Sequence, residues 1–141
     1  MAIFIDTGFF LGLVDPTDSY YNRSEELLKI LKTGKYGQIF TSTYIIAETL
    51  TLVAVRTKNN SIALREIEEF FNGNKKIARI LRPDEQIENE TLELFLKINK
   101  KQKSKTVSFV DCSNIVFCKK RAIDNILAYD RHFDAWLTRL F

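Results

Sequence analysis

The chain has 141 residues, 45% of them hydrophobic and 28% charged, with only 5 Gly and 2 Pro. One domain over residues 1–141 is expected, long enough to bury roughly 68–70% of the surface its unfolded form exposes, and collagen-like, mucin-like and linker compositions are excluded. The 21 Lys and Arg against 18 Asp and Glu leave a net charge of +3, which permits a polyanionic partner without demanding one.

No apolar run approaches the ~18 residues of a membrane span. Met1-Ala2 leads directly into Ile3-Phe4-Ile5 with no basic leader segment, so a soluble, cytoplasmic protein is expected. Residues 2–5 read as a buried strand halted at Asp6-Thr7-Gly8. A helix is expected over 18–33, a second strand over 38–41, and helices over 42–57 and 60–72. A third strand over 76–81 is closed by Arg82-Pro83. Helices over 84–102 and 109–121 follow, then a fourth strand over 124–129 and a last helix from 131. Strands alternating with helices predict an α/β fold built on a mainly parallel sheet, in which ligands gather at the carboxyl ends of the strands.

Two of the helices carry local signals. From Ser42 to Arg56, Ile45, Ile46, Leu50, Leu52, Val53, Ala54 and Val55 surround the axis almost completely, which predicts a helix buried on all sides. Glu48 falls on that wheel between Leu52 and Val55, where a carboxylate is costly unless paired, hydrogen-bonded or bound to metal. Ser108-Phe109-Val110-Asp111 fits a capping box. The lysine-rich run over 97–105 just before it has two readings, a solvated helix end or a phosphate-binding rim. Cys112 and Cys118 are six apart in the same helix, on different faces and about 9 Å apart along the axis, so they cannot pair. With His132 the single histidine, no Cys/His zinc set can be assembled.

The acids carry the chemistry. Asp6 directly follows the first strand and Asp130 the fourth, Asp111 opens a helix, and Glu48 lies in an apolar one. If the first and fourth strands are neighbours, all four groups share one end of the sheet. Without a compensating Arg or Lys they would repel one another and raise each other's pKa values. A divalent cation resolves that conflict, and all-oxygen ligation suits Mg²⁺ or Mn²⁺. Taken singly, Asp6 could merely end a strand in a turn, and Asp111 and Asp130 could merely cap helices.

The arrangement resembles the PIN domain family, metal-dependent ribonucleases that include the VapC toxins of toxin–antitoxin pairs. The matching segments are Ile3-Phe4-Ile5-Asp6-Thr7, Thr41-Ser42-Thr43-Tyr44-Ile45-Ile46-Ala47-Glu48, Ser108-Phe109-Val110-Asp111 and Leu127-Ala128-Tyr129-Asp130-Arg131-His132-Phe133. The resemblance implies a three-layer α/β/α fold and an endoribonuclease that hydrolyses RNA phosphodiester bonds. Asp6, Glu48, Asp111 and Asp130 would be its catalytic and metal-holding acids for Mg²⁺ or Mn²⁺, and Thr7 a hydroxyl that orients an acid or the attacking water. RNA is the implied substrate, engaged at the rim by Lys119, Lys120 or Arg131. An antitoxin protein and a second copy of the chain, as a homodimer, are the implied protein partners. The chain departs from the pattern at Cys112, where Ala is frequent, and at Ala128, where Thr is. Tyrosine or asparagine in Asp18-Ser19-Tyr20-Tyr21-Asn22 replaces a common His, and little room is left before Phe141 for a short last strand.

Three other chemistries fit less well. A haloacid-dehalogenase-like phosphatase needs a second Asp two residues after the first, where Gly8 stands. A receiver domain lacks its acidic pair and its Lys, and no Gly-x-Ser-x-Gly accompanies the lone His132. The remaining alternative is a PIN-like module that binds RNA or protein without cleaving, although a binder of polyanions gains nothing from an acidic pocket.

Overall fold

The run Ala2–Ile5 forms strand β1 at the centre of the sheet, where Ile3, Phe4 and Ile5 are wholly buried. A computed structural model describes residues 1–101 and 104–141; residues 102 and 103, at the tail of the helix expected over 84–102 and inside the lysine-rich run, lie outside the described residues. After β1 come helices α1 (Thr7–Val14) and α2 (Tyr21–Lys32), strand β2 (Gln38–Ser42), helices α3 (Thr43–Arg56) and α4 (Ser61–Asn72), and strand β3 (Arg79–Leu81). Helices α5 (Glu85–Lys101) and α6 (Phe109–Arg121), strand β4 (Asn125–Leu127), a 3₁₀ helix (Arg131–Ala135) and strand β5 (Thr138–Leu140) complete the described elements.

All four pairings are parallel, in the order β3-β2-β1-β4-β5. Phe4 is in register with Phe40 on one side and Ile126 on the other. Because the chain steps from β1 to β2 to β3 in one direction and then returns to β4, right-handed crossovers place α1–α4 on one face and α5–α6 on the other. The packing agrees, with α1 against α2, α3 and α4, and α5 against α6. Phe10 meets Phe71 in the first layer and Phe4 stacks on Phe117 toward the second. The three-layer α/β/α architecture is as expected, and the first and fourth strands are neighbours, the condition on which Asp6 and Asp130 share one end of the sheet. No helix among the described residues is long and apolar enough to cross a membrane.

Five local expectations are corrected. Between Asp6-Thr7-Gly8, where the first strand is expected to halt, and the helix expected from 18, a further helix α1 forms, and seven of its eight residues are buried. Gly12 allows that burial, since a Cβ on it would lie 2.1 Å from Ser24 Oγ of α2. Helix α3 is not buried all round, because it lies in the outer layer. Ile45, Thr49 and Val53 face inward, whereas Leu50 is 38% and Val55 69% exposed. The helix expected from 131 is a 3₁₀ helix of five residues. The last strand, for which there seemed little room, does form: Thr138–Leu140 pairs with β4 and makes the edge of the sheet. The strand expected over 76–81 shortens to Arg79–Leu81, which pairs with Phe40, Thr41 and Ser42 of β2. Cys112 and Cys118 are buried and free, as expected, and burial, with Asp111 adding to it, pushes the Cys112 thiol up to about 11.

Candidate active site

Parallel strands all end at one edge, and that edge collects the acids. Asp6 follows β1 at the N-cap of α1, but its carboxylate caps nothing. Its N–H donates to Leu127 O (3.0 Å), which ties the exit of β1 to β4. Its Oδ1 accepts from Asn114 Nδ2 (2.9 Å) on α6. Asp6 is 8% exposed. Burial first, then the charge of Asp111 and, more weakly, Glu48 raise its pKa to about 7, against the lowering effect of the Thr7 N–H and Asn114. Asn114 Oδ1 is buried without a hydrogen-bond partner among the described residues, a further oxygen beside Asp6.

Ser42 caps α3, its hydroxyl accepting from the Ile45 N–H, and this starts the helix so that Glu48 stands one and a half turns in. Glu48 is half-buried, and its Oε2 accepts a 2.5 Å hydrogen bond from Thr7 Oγ1. The partner that a carboxylate on this wheel requires is therefore the hydroxyl next to Asp6. The Ser108 side chain accepts from the Asp111 N–H (3.0 Å) and fixes the first turn of α6. Ser108 is itself located by Asn99, whose side chain holds both the N–H and the C=O of Val107. Burial raises the Asp111 pKa, and Glu48 and Asp130 add to this while His132 and Ser108 oppose it.

Asp130 departs from the expectation of four uncompensated acids. Lys105 Nζ donates to both of its oxygens (3.2 and 3.1 Å), and the His132 N–H donates to its Oδ1 (3.1 Å). Burial alone would raise its pKa; the His132 N–H, Lys105 and the imidazole together bring it below the usual carboxylate value. The His132 ring lies between two acids, with Nδ1 2.7 Å from Asp130 Oδ1 and Nε2 3.3 Å from Asp111 Oδ2, although neither approach has hydrogen-bond alignment. The site is thus a chain of contacts, Glu48–Thr7 and Asp6–Asn114 at one end and Asp111–His132–Asp130–Lys105 at the other. Asp6, Glu48 and Asp111 carry no Lys or Arg partner among the described residues.

A divalent ion fits this donor chemistry. Among the described residues no three acidic, His or Cys side chains stand close enough to enclose an ion by themselves. Magnesium asks for no such cage, since it is commonly held by one or two carboxylates, substrate phosphate and water. Two of the acids, Asp6 and Asp130, line a cleft of about 700 Å³ together with Tyr20, Tyr129 and Arg56. Of the expected rim cations, Lys120 is engaged with Glu90 (2.8 Å), while Lys119 and Arg131 are exposed; Lys105, from the lysine-rich run, pairs with Asp130. Sequence reasoning did not find Asn114, the bridging place of His132 or the Lys105 contact. The 108 positions between Asp6 and Asn114 leave no local spacing to find them by.

Fold and site define a parallel α/β nuclease-like domain, and the chain belongs to the PIN domain family, whose model matches residues 3–136. It is 27% identical over 133 residues to a VapC ribonuclease of Archaeoglobus fulgidus, covering 94% of this chain and 80% of that protein. It is similar in structure to Mycobacterium tuberculosis VapC20, a sarcin-ricin loop cleaving toxin. The TM-score is 0.74 and the identity 22%, over 94% of this chain and 93% of that one. It is also similar to VapBC2 from Rickettsia felis, solved bound to a DNA fragment from their promoter. That TM-score is 0.67 and the identity 17%, over 99% of this chain and 98% of that one.

Proposed function

We propose that this chain is a metal-dependent endoribonuclease that hydrolyses RNA phosphodiester bonds, the toxin of a toxin–antitoxin pair, acting in the cytoplasm. One observation carries the reading: Asp6, Glu48 and Asp111 come from three elements to the carboxyl edge of the sheet, and among the described residues no Lys or Arg pairs with them. Membership of the PIN family and the likeness to a VapC ribonuclease support it. Asp6, Glu48, Asp111 and Asp130 would hold Mg²⁺ or Mn²⁺, directly or through water. Bound there, the ion would neutralise charge on the scissile phosphate and lower the pKa of an attacking water.

The protein's own part is positional. Asn114 fixes one oxygen of Asp6, Thr7 fixes one of Glu48, and His132 separates Asp111 from Asp130. Lys105 is 64% exposed and, with Lys119 and Arg131, would meet the flanking phosphates. An antitoxin and a second copy of the chain are the proposed protein partners, and the exposed apolar side chains of Leu50, Val55 and Ile62 provide surface for them.

Incubation with fluorescent single-stranded RNA tests the proposal. Cleavage is expected in Mg²⁺ or Mn²⁺, none in EDTA, and recovery when excess metal is restored; metal-independent or absent cleavage refutes it and leaves a non-catalytic binding module. Thr7→Val removes the donor to Glu48 and is expected to lower kcat roughly 10–100-fold, the effect of losing a partner that orients a ligand. Thr7→Ser should keep most of the rate, with both melting temperatures near that of the parent.

A further inference from the structure

The cleft lined by Asp6 and Asp130 is also lined by a pair of stacked rings that the hydrolysis does not use. Tyr129, next to Asp130, lies face to face with Tyr20, with ring centroids 3.8 Å apart and planes within 4°. Tyr129 is fixed from below. Its hydroxyl shares a 2.5 Å hydrogen bond with Ser24 Oγ, and a Cβ on Gly8 would stand 3.2 Å from its ring, tight enough to press on it.

Tyr20 is equally well placed. Its N–H donates to Asp18 Oδ1 (2.8 Å), and its C=O accepts from the Ser24 N–H (2.7 Å). Asp18 is itself held by Arg56 (2.8 Å). Yet Tyr20 remains 43% exposed, on a cleft lined also by Asp6 and Asp130. A ring pair serving only as core would be covered. Here one face of Tyr20 is spent on Tyr129, and the residue stays open to the space where a phosphodiester must enter.

We propose that the outward face of Tyr20 is a nucleobase platform: the base beside the scissile phosphate stacks on it, so that Tyr20 sets which phosphate reaches the acids. This rests on the endoribonuclease reading above. Every base offers a π face, and an aromatic platform binds single-stranded RNA whose bases are free to splay out. Stacking area favours purines over pyrimidines at that position. The rigidity of the pair means that little side-chain entropy is lost when the base arrives.

The test is a set of mixed-sequence single-stranded RNA octamers, each with one abasic position, cleaved in Mn²⁺ by the wild type, Tyr20→Ala, Tyr20→Phe and Tyr20→Trp. For the wild type, one abasic position adjoining the cut should raise KM roughly 10–100-fold with little change in kcat. Tyr20→Ala should show the same rise with the intact octamer and no further rise with the abasic one, while Phe and Trp keep the wild-type pattern. The abasic scan on the wild type decides the matter even if Tyr20→Ala folds poorly. Cleavage by the wild type with equal KM for every abasic octamer overturns the platform and leaves the nuclease reading standing. Failure to cleave any octamer overturns both.

Discussion

Replacing Asp6 with Asn is expected to lower kcat for RNA by roughly 10²–10³-fold while making the metal-free protein more stable at pH 8. Asp6 has its pKa raised from 3.8 to about 7 in the folded state, so the folded protein holds a proton that the unfolded chain has already lost. The group's contribution to stability is therefore complete below about pH 4, declines as pH rises, and is gone above about pH 7. Asn carries no charge to lose. The variant should match the wild type near pH 4 and exceed it by about 2–4 kcal/mol at pH 8 without metal. Magnesium should reverse the order by stabilising the wild type more than the variant. Thermal melts at both pH values, with and without Mg²⁺, measure this; parallel melting curves for the two proteins would remove Asp6 from the electrostatic centre of the site.

The second large effect is expected at Arg139, on edge strand β5. Its side chain is only 6% exposed; Nε lies 2.9 Å from Asp134 Oδ1, and Nη1 donates to the Ala128 and Tyr129 carbonyls (3.3 and 3.4 Å). Its guanidinium also lies over the Phe141 ring at 3.8 Å. These two carbonyls belong to the segment that delivers Tyr129 and Asp130 to the cleft. Arg139→Met leaves them without this donor and should cost about 2 kcal/mol, roughly 6 °C in melting temperature, together with a fall in cleavage rate. Arg139→Lys should not rescue either loss, since a point charge cannot reproduce the planar fork. Urea melts and cleavage rates of the two variants check it, and a Lys variant equal to wild type would contradict the assigned role.

What the sequence made legible follows from how each element is held. Strand β1 and helices α4 and α6 carry periodic or capped patterns, so Asn60 and Ser108 mark their starts correctly. Helix α1 carries no such pattern: Thr7–Val14 has almost no polar face, and only packing against α2, α3 and α4 identifies it as helix. Helix α3 misleads in the opposite sense, because Leu50 and Val55 complete an apolar wheel yet stay exposed. Strand β5 has three residues, and Arg139 rather than an apolar run fixes it. At the site, Asp6, Glu48 and Asp111 were readable because each directly follows a strand or opens or interrupts a helix. Asp130 was readable as a position but not as a charge, since Lys105 reaches it from a lysine run that looked like a solvated helix end.

The two strands at the middle of the sheet are remote in sequence, Ile3 pairing with Asn125 and Phe4 with Ile126. Such a pairing must close a very long loop before any contact repays it, which makes it a late and slow event in folding. A chain that has joined only β1, β2 and β3 carries Asp6 and Glu48 in place but has not yet brought Asp111 or Asp130 beside them. The half-site it presents lacks two of the four acids and the Tyr129–Asp130 wall of the cleft. Hydrolytic competence is therefore expected to depend on the β1–β4 pairing, and a form in which β4 has come away from β1 is expected to be inactive.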